Sequence, residues 1–145
     1  ETIFRDVTID YHQNWVKDHR KAVQAAYGKT PFFHYFYDLF DQIWVSKPEY
    51  LLDLSMSMMT VCLDILQIDM SFNFTIIYEQ DIQKDVLDLR NIISAKKSTE
   101  SRSFYRPISY IQNFGSNFVN NLSIIDLLMC EGPNGLNILQ QSTND

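Results

Sequence analysis

The chain has 145 residues, 46% of them apolar, with only 4 Gly and 4 Pro and a formal charge of −6. A chain this apolar and aromatic offsets its ordering entropy, so disorder is excluded, and no fixed repeat supports a collagen or solenoid array. Gly and Pro fall well below the roughly 12% usual in proteins, which argues against a β-sandwich or barrel and for one mainly helical domain.

Two cysteines, Cys62 and Cys130, are too few to staple a secreted scaffold and read as buried, reduced thiols. The start, Glu1 to Arg5, shows no secretory pattern. The most apolar stretch, Tyr50 to Leu66, is interrupted by Asp53 and Asp64. It falls short of the about 20 residues a bilayer crossing needs. A cytoplasmic protein without membrane insertion is the expectation.

In chain order, residues 3–11 read as a short strand that must pair with something, residues 72–78 among the options. A helix over 12–27 follows, capped by Asp10 or Asn14, with Gly28 at the C′ position and a stripe of Trp15, His19, Ala22 and Ala26. Thr30-Pro31 reads as a cap and N1 proline opening a helix over 31–45, with His34, Asp38 and Asp41 on its polar side. Pro48 opens a third helix to about residue 67. Twelve of the seventeen residues from Tyr50 to Leu66 are apolar, so this helix is expected at the centre of the core, with Val61, Cys62, Ile65 and Leu66 fully buried.

Residues 71–78 alternate Phe72, Phe74 and Ile76 against Asn73, Thr75 and Ile77, the pattern of a strand. Residues 85–93 read as a short helix and 94–106 as an exposed loop. Ser123 and Asp126 form a capping box before Leu127, Leu128 and Met129, and Gly132-Pro133 ends that helix near residue 130. The fold class is therefore α+β: mainly α, a helical core around a central buried helix, with a few short strands.

The charge is uneven. Residues 90–106 hold Arg90, Lys96, Lys97, Arg102 and Arg106 against Glu100 alone, in an otherwise acidic chain. Three cations at Arg90, Lys96 and Lys97 can converge on one phosphate of a sugar nucleotide or another phosphorylated small molecule. The acidic total (pI ≈ 4.9) argues against nucleic acid. A solvated polar loop is the plainer reading of the same segment. His19, on an apolar stripe, is the one sheltered group able to move a proton near neutral pH; a hydrogen-bonded core histidine is its plain alternative. No metal-binding pair of His or Cys and no Rossmann, P-loop or hydrolase-elbow motif occurs, so neither metal nor cofactor is expected. Tyr27 and the aromatics from Phe32 to Tyr37 can stack on a sugar ring, although helical spacing favours core packing.

Several strings in order resemble the WbqC-like protein family of bacteria. They are Trp15-x-x-x-His19, Tyr27, Pro31-Phe32-Phe33-x-Tyr35-Phe36, Asp88-Leu89-Arg90-Asn91-Ile92-Ile93 with Lys96-Lys97, Tyr110-x-Gln112-x-Phe114, and Asn121 to Leu128 with Glu131-Gly132-Pro133. Ala95 stands where the family often has Pro. The resemblance implies a link to O-antigen and other surface-polysaccharide synthesis. It also implies that a further N-terminal portion normally precedes this domain, its place taken by self-association or by docking of that segment. Two functions follow. One is a transferase-type enzyme acting on an activated sugar or glycan precursor, with His19 as base, Arg90, Lys96 and Lys97 on phosphates, and Trp15, Tyr27 and Tyr110 as aromatic lining. The other is a non-catalytic binding or assembly component of glycan synthesis.

Overall fold

The structure, a computed structural model, describes residues 3–78, 80, 85–90 and 105–143. Its elements are a 3₁₀ turn at Phe4–Asp6, then α1 (Trp15–Tyr27), α2 (Phe33–Ser46) and α3 (Leu51–Leu66). After the middle of the chain come α4 (Ile124–Glu131), a 3₁₀ turn at Gly132–Asn134, and α5 (Gly135–Gln141).

The apolar spacing explains the packing. In α2, Phe33, Phe40 and Trp44 recur at i, i+7 and i+11 and form one buried stripe, while Tyr35, on another face, is 74% exposed. That stripe meets Cys62, Ile65 and Leu66 of α3 and Leu128 and Met129 of α4 in one core. Val16, Val23 and Tyr27 of α1 and Leu136 and Leu139 of α5 pack against it from outside. Full burial of each large side chain contributes about 1.5–3 kcal/mol. Helix α3 does lie among the others, but its cover is uneven. Cys62, Ile65 and Leu66 are buried, Val61 is only half-buried, and Met59 is half exposed.

The strands are where expectation and structure part. Residues 3–11 contain the 3₁₀ turn and a single antiparallel bridge, Thr8 to Tyr50, in which Ile9 N donates to Glu49 O and Leu51 N donates to Val7 O, both 2.9 Å. Residues 71–78 are exposed and irregular, with no ladder partner among the described residues. Among the described residues their alternation finds no second strand to pair with, and a lone strand leaves its N–H and C=O groups to water. The described part of 85–93 is turn and bend rather than helix; its remaining residues, most of the expected 94–106 loop, Lys96, Lys97 and Arg102 lie outside the described residues.

Two helix ends differ in mechanism from the reading by residue type. Gly28 is not left-handed (φ −58°); its N–H donates to Gln24 O at 2.9 Å, and a Cβ there would lie 2.5 Å from that carbonyl oxygen. Close approach, not positive φ, requires the glycine. Thr30 closes α1 instead of opening α2: it is buried, and its Oγ1 donates to Tyr27 O at 2.7 Å. The left-handed ends fall on Lys47 and Gln67. After Gln67, Ile68 N donates to Leu63 O at 2.9 Å, a Schellman closure of α3.

Candidate functional site

Two places in the structure gather polar chemistry: a buried carboxyl cluster on α4 and an open cleft at the start of α3.

The cluster centres on Asp126. In a capping box this side chain would reach back to Ser123. Ser123 does accept from Ile125 N, at 3.4 Å, but Asp126 turns inward and is 0% exposed. Its helix is buried on every side from Leu127 to Cys130, which leaves the carboxyl no solvated face. Tyr110 Oη donates to Asp126 Oδ2 at 2.7 Å and Gln112 Nε2 donates to the same oxygen at 3.1 Å. Asp126 Oδ1 has no hydrogen-bond partner among the described residues. Gln112 also exchanges two bonds with the backbone of Val119, donating to its O at 2.9 Å and accepting from its N at 2.8 Å. Asn113 Nδ2 donates to Ala26 O, satisfying a last-turn carbonyl of α1. Residues 110–119 are thus clasped across α1 and α4.

The electrostatics agree with burial. Desolvation, and then the hydrogen bond to Asp126, hold the Tyr110 phenol well above its ordinary value. Burial first and Asp126 second push the Cys130 thiol up to about 11, and burial alone takes Cys62 to about 11. Tyr27 is raised by burial, then by Asp126 and Cys130. Both cysteines are unpaired and buried. Burial keeps both thiols protonated and away from reactive thiolate chemistry, Cys62 in the helical core and Cys130 beside Asp126.

The cleft, about 960 Å³, lies between the Phe4–Asp6 turn, Leu52 of α3 and residues 73–78. Its described lining combines apolar and aromatic side chains with Arg5, Asn73 and Thr75, and includes no imidazole or carboxylate. No carboxylate of the described residues pairs with Arg5. At Tyr78, which lines the cleft, the Arg90 guanidinium stacks 4.9 Å from the ring centroid. Asp88 grips Arg90 in a fork, accepting from Nε and Nη2 at 2.9 Å each, and Arg90 in turn lowers the Asp88 carboxyl from its usual range. A smaller depression, about 440 Å³, is lined by Asp64 and Asp69 and has the wrong sign for a phosphate.

Of the site residues expected from the sequence, the described ones, Trp15, His19, Tyr27, Arg90 and Tyr110, do not line one cleft together. His19 is exposed, not sheltered: its ring meets Trp15 edge-on at 5.2 Å, and it lines neither cleft. Trp15 stacks on Tyr11 at 5.5 Å and donates from Nε1 to Asp10 O. Trp15 and Tyr27 begin and end α1 and are about 18 Å apart along its axis at 1.5 Å per residue, so they cannot line one small pocket together. Tyr110 instead donates to Asp126, and Tyr27 packs against the hydrophobic core. Asp41, expected on a solvated face, is half-buried and takes a two-point ion pair from Arg20 of α1. That pair, helped by Tyr37, raises Arg20 further above its usual value.

Asp126 and Arg5 are the residues that reading by motif missed. Asp126 had a visible signal, a carboxylate inside an otherwise apolar helix. Arg5 had none, because its importance comes from residues 73–78 being brought beside it.

These features define a helical protein with an internal carboxyl clasp and an open, aromatic-lined cleft. The sequence profile of the WbqC-like protein family matches residues 1–109 and 99–138, so the chain belongs to that family. No curated protein and no solved structure matches it. Among the described residues no helix is long and apolar enough to cross a membrane, and no group of three or more His, Cys, Asp or Glu side chains is placed to hold a metal ion.

Proposed function

We propose that this WbqC-like protein is a binding component of bacterial surface-polysaccharide synthesis that takes an activated, phosphate-bearing sugar precursor in the cleft beside Arg5 and Tyr78. One observation carries this reading: the cleft joins aromatic faces, a cation and two neutral hydrogen-bonding side chains, Asn73 and Thr75, in about 960 Å³. Aromatic faces stack on sugar rings, Asn and Thr bond hydroxyls, and Arg5 supplies the charge for a phosphate. The volume is in the range of sites that hold small ligands. A described lining without an acid or base favours binding over chemistry.

The transferase-type reading keeps one observation in its favour. His19 is open to solvent with its ring orientation set by Trp15, so a substrate on the α1 surface can reach it. In that case Arg90, Lys96 and Lys97 hold the phosphates.

Calorimetric titration of uridine diphosphate glucose into wild type, Arg5→Ala, Tyr78→Ala and His19→Gln tests both. The binding reading expects about tenfold weakening in the first two variants and none in the third, tenfold corresponding to about 1.4 kcal/mol. Loss confined to His19→Gln favours the transferase reading. No heat from wild type at millimolar ligand overturns the proposal.

A further inference from the structure

We propose that the cleft's ligand is amphipathic: one molecule carrying its phosphate headgroup on a hydrocarbon chain, with the chain along Phe4, Leu52, Phe74 and Ile76 and the phosphate at Arg5. This inference rests on the binding reading above and specifies its substrate class.

Three observations carry it. The lining is more apolar than a sugar and nucleotide require, because Ile3, Phe4, Leu52, Phe74, Ile76 and Ile77 outnumber Arg5, Asn73 and Thr75. Much of that apolar surface faces water, with Ile76 83% and Phe74 59% exposed. Exposed apolar area of this kind is stabilised when a hydrocarbon covers it. The charge is complementary as well: Arg5 lies in the cleft without an ion-pair partner among the described residues, in a chain of net charge −6. A neutral lipid leaves that cation unused, and a bare phosphate leaves the apolar wall wet. An alkyl or isoprenoid phosphate satisfies both. The concave shape fits a single chain, so the source is an individual molecule and not a bilayer surface.

The test is calorimetry with decyl phosphate below its micelle concentration, alongside inorganic phosphate, decyl glucoside and uridine diphosphate glucose. Decyl phosphate is expected to bind saturably, one per chain, at least tenfold more tightly than inorganic phosphate or decyl glucoside. Ile76→Ser should weaken decyl phosphate about tenfold and leave uridine diphosphate glucose unchanged; Arg5→Ala should weaken both. Urea midpoints equal to wild type confirm that these exposed sites leave folding intact.

Equal binding of decyl glucoside and decyl phosphate overturns the inference, and so does decyl phosphate no tighter than inorganic phosphate. If uridine diphosphate glucose binds and the chain adds nothing, the inference fails while the binding reading stands. If decyl phosphate binds and no sugar ligand does, the sugar reading fails and the amphipathic site stands. Co-flotation with phosphatidylglycerol vesicles, lost in Ile76→Ser, would show a bilayer surface as the target and refute the single-molecule claim.

Discussion

Replacing Tyr110 with Phe removes one oxygen from the interior and leaves the ring. The lost hydroxyl donates to Asp126 Oδ2 at 2.7 Å, the shorter of the two bonds that carboxyl receives. Asp126 is 0% exposed and its Oδ1 has no partner among the described residues, so water cannot take the place of the lost donor without the segment opening. Because the ring stays, its edge contact with Phe118 at 5.3 Å persists and no cavity forms. The cost is therefore that of leaving a buried carboxyl oxygen short of a donor, about 1.5–3 kcal/mol. For a chain of this size that lowers the melting temperature by roughly 5–10 °C. Urea denaturation should show a lower midpoint with an unchanged slope. A double-mutant cycle with Asp126→Asn should show a coupling energy of about 1 kcal/mol or more, because the two side chains share one bond. A Tyr110→Phe cost under about 0.5 kcal/mol would refute the claim that this bond clasps residues 110–119 to α4.

Gly132→Ala should destabilise by about 2–4 kcal/mol in the same assay, since Gly132 is at φ +56° and an added Cβ would come within 2.5 Å of the Phe32 ring. Arg20→Ala should cost less than about 1 kcal/mol despite its two-point contact with Asp41, because the Arg20 side chain is 43% exposed and solvent screens the pair. Alkaline pH should destabilise the protein from about pH 9 upward. The unfolded thiols ionise near 9 while Cys62 and Cys130 keep their protons to about 11 when folded, so in that window the native state binds more protons and stability falls as pH rises. Melting temperatures across pH 8–11 check this, with Cys62→Ala flattening the decline.

Helices α1 to α4 were legible because their signals are local, whereas α5 was not expected and the described part of the helix expected over 85–93 is turn and bend. The buried stripe of α2 and the Cys62, Ile65 and Leu66 end of α3 follow from spacing alone, and the limits of α1 to α4 differ from expectation by three residues or fewer. The strands were not legible, because a strand is a property of two segments. Alternation at Phe72, Phe74 and Ile76 says which faces differ and nothing about a partner, whereas residues 7–9 found theirs at 49–51. The setting of His19 was misread for the same reason. His19 on α1 reads as sheltered only if another element covers it, and none of the described elements buries it. Asp126 shows the converse: its capping-box spacing is local, yet the surrounding apolar helix face and Tyr110 decide where its side chain goes.

The central claim is that ligand binds in the cleft by Arg5 and residues 73–78, and backbone amide shifts of labelled protein test it most directly. On titrating uridine diphosphate glucose, the account predicts shifts concentrated at Phe4, Arg5, Leu52, Phe74 and Tyr78, with Trp15 and His19 unmoved. Shifts centred on Trp15 and His19, or none at millimolar ligand, would contradict it.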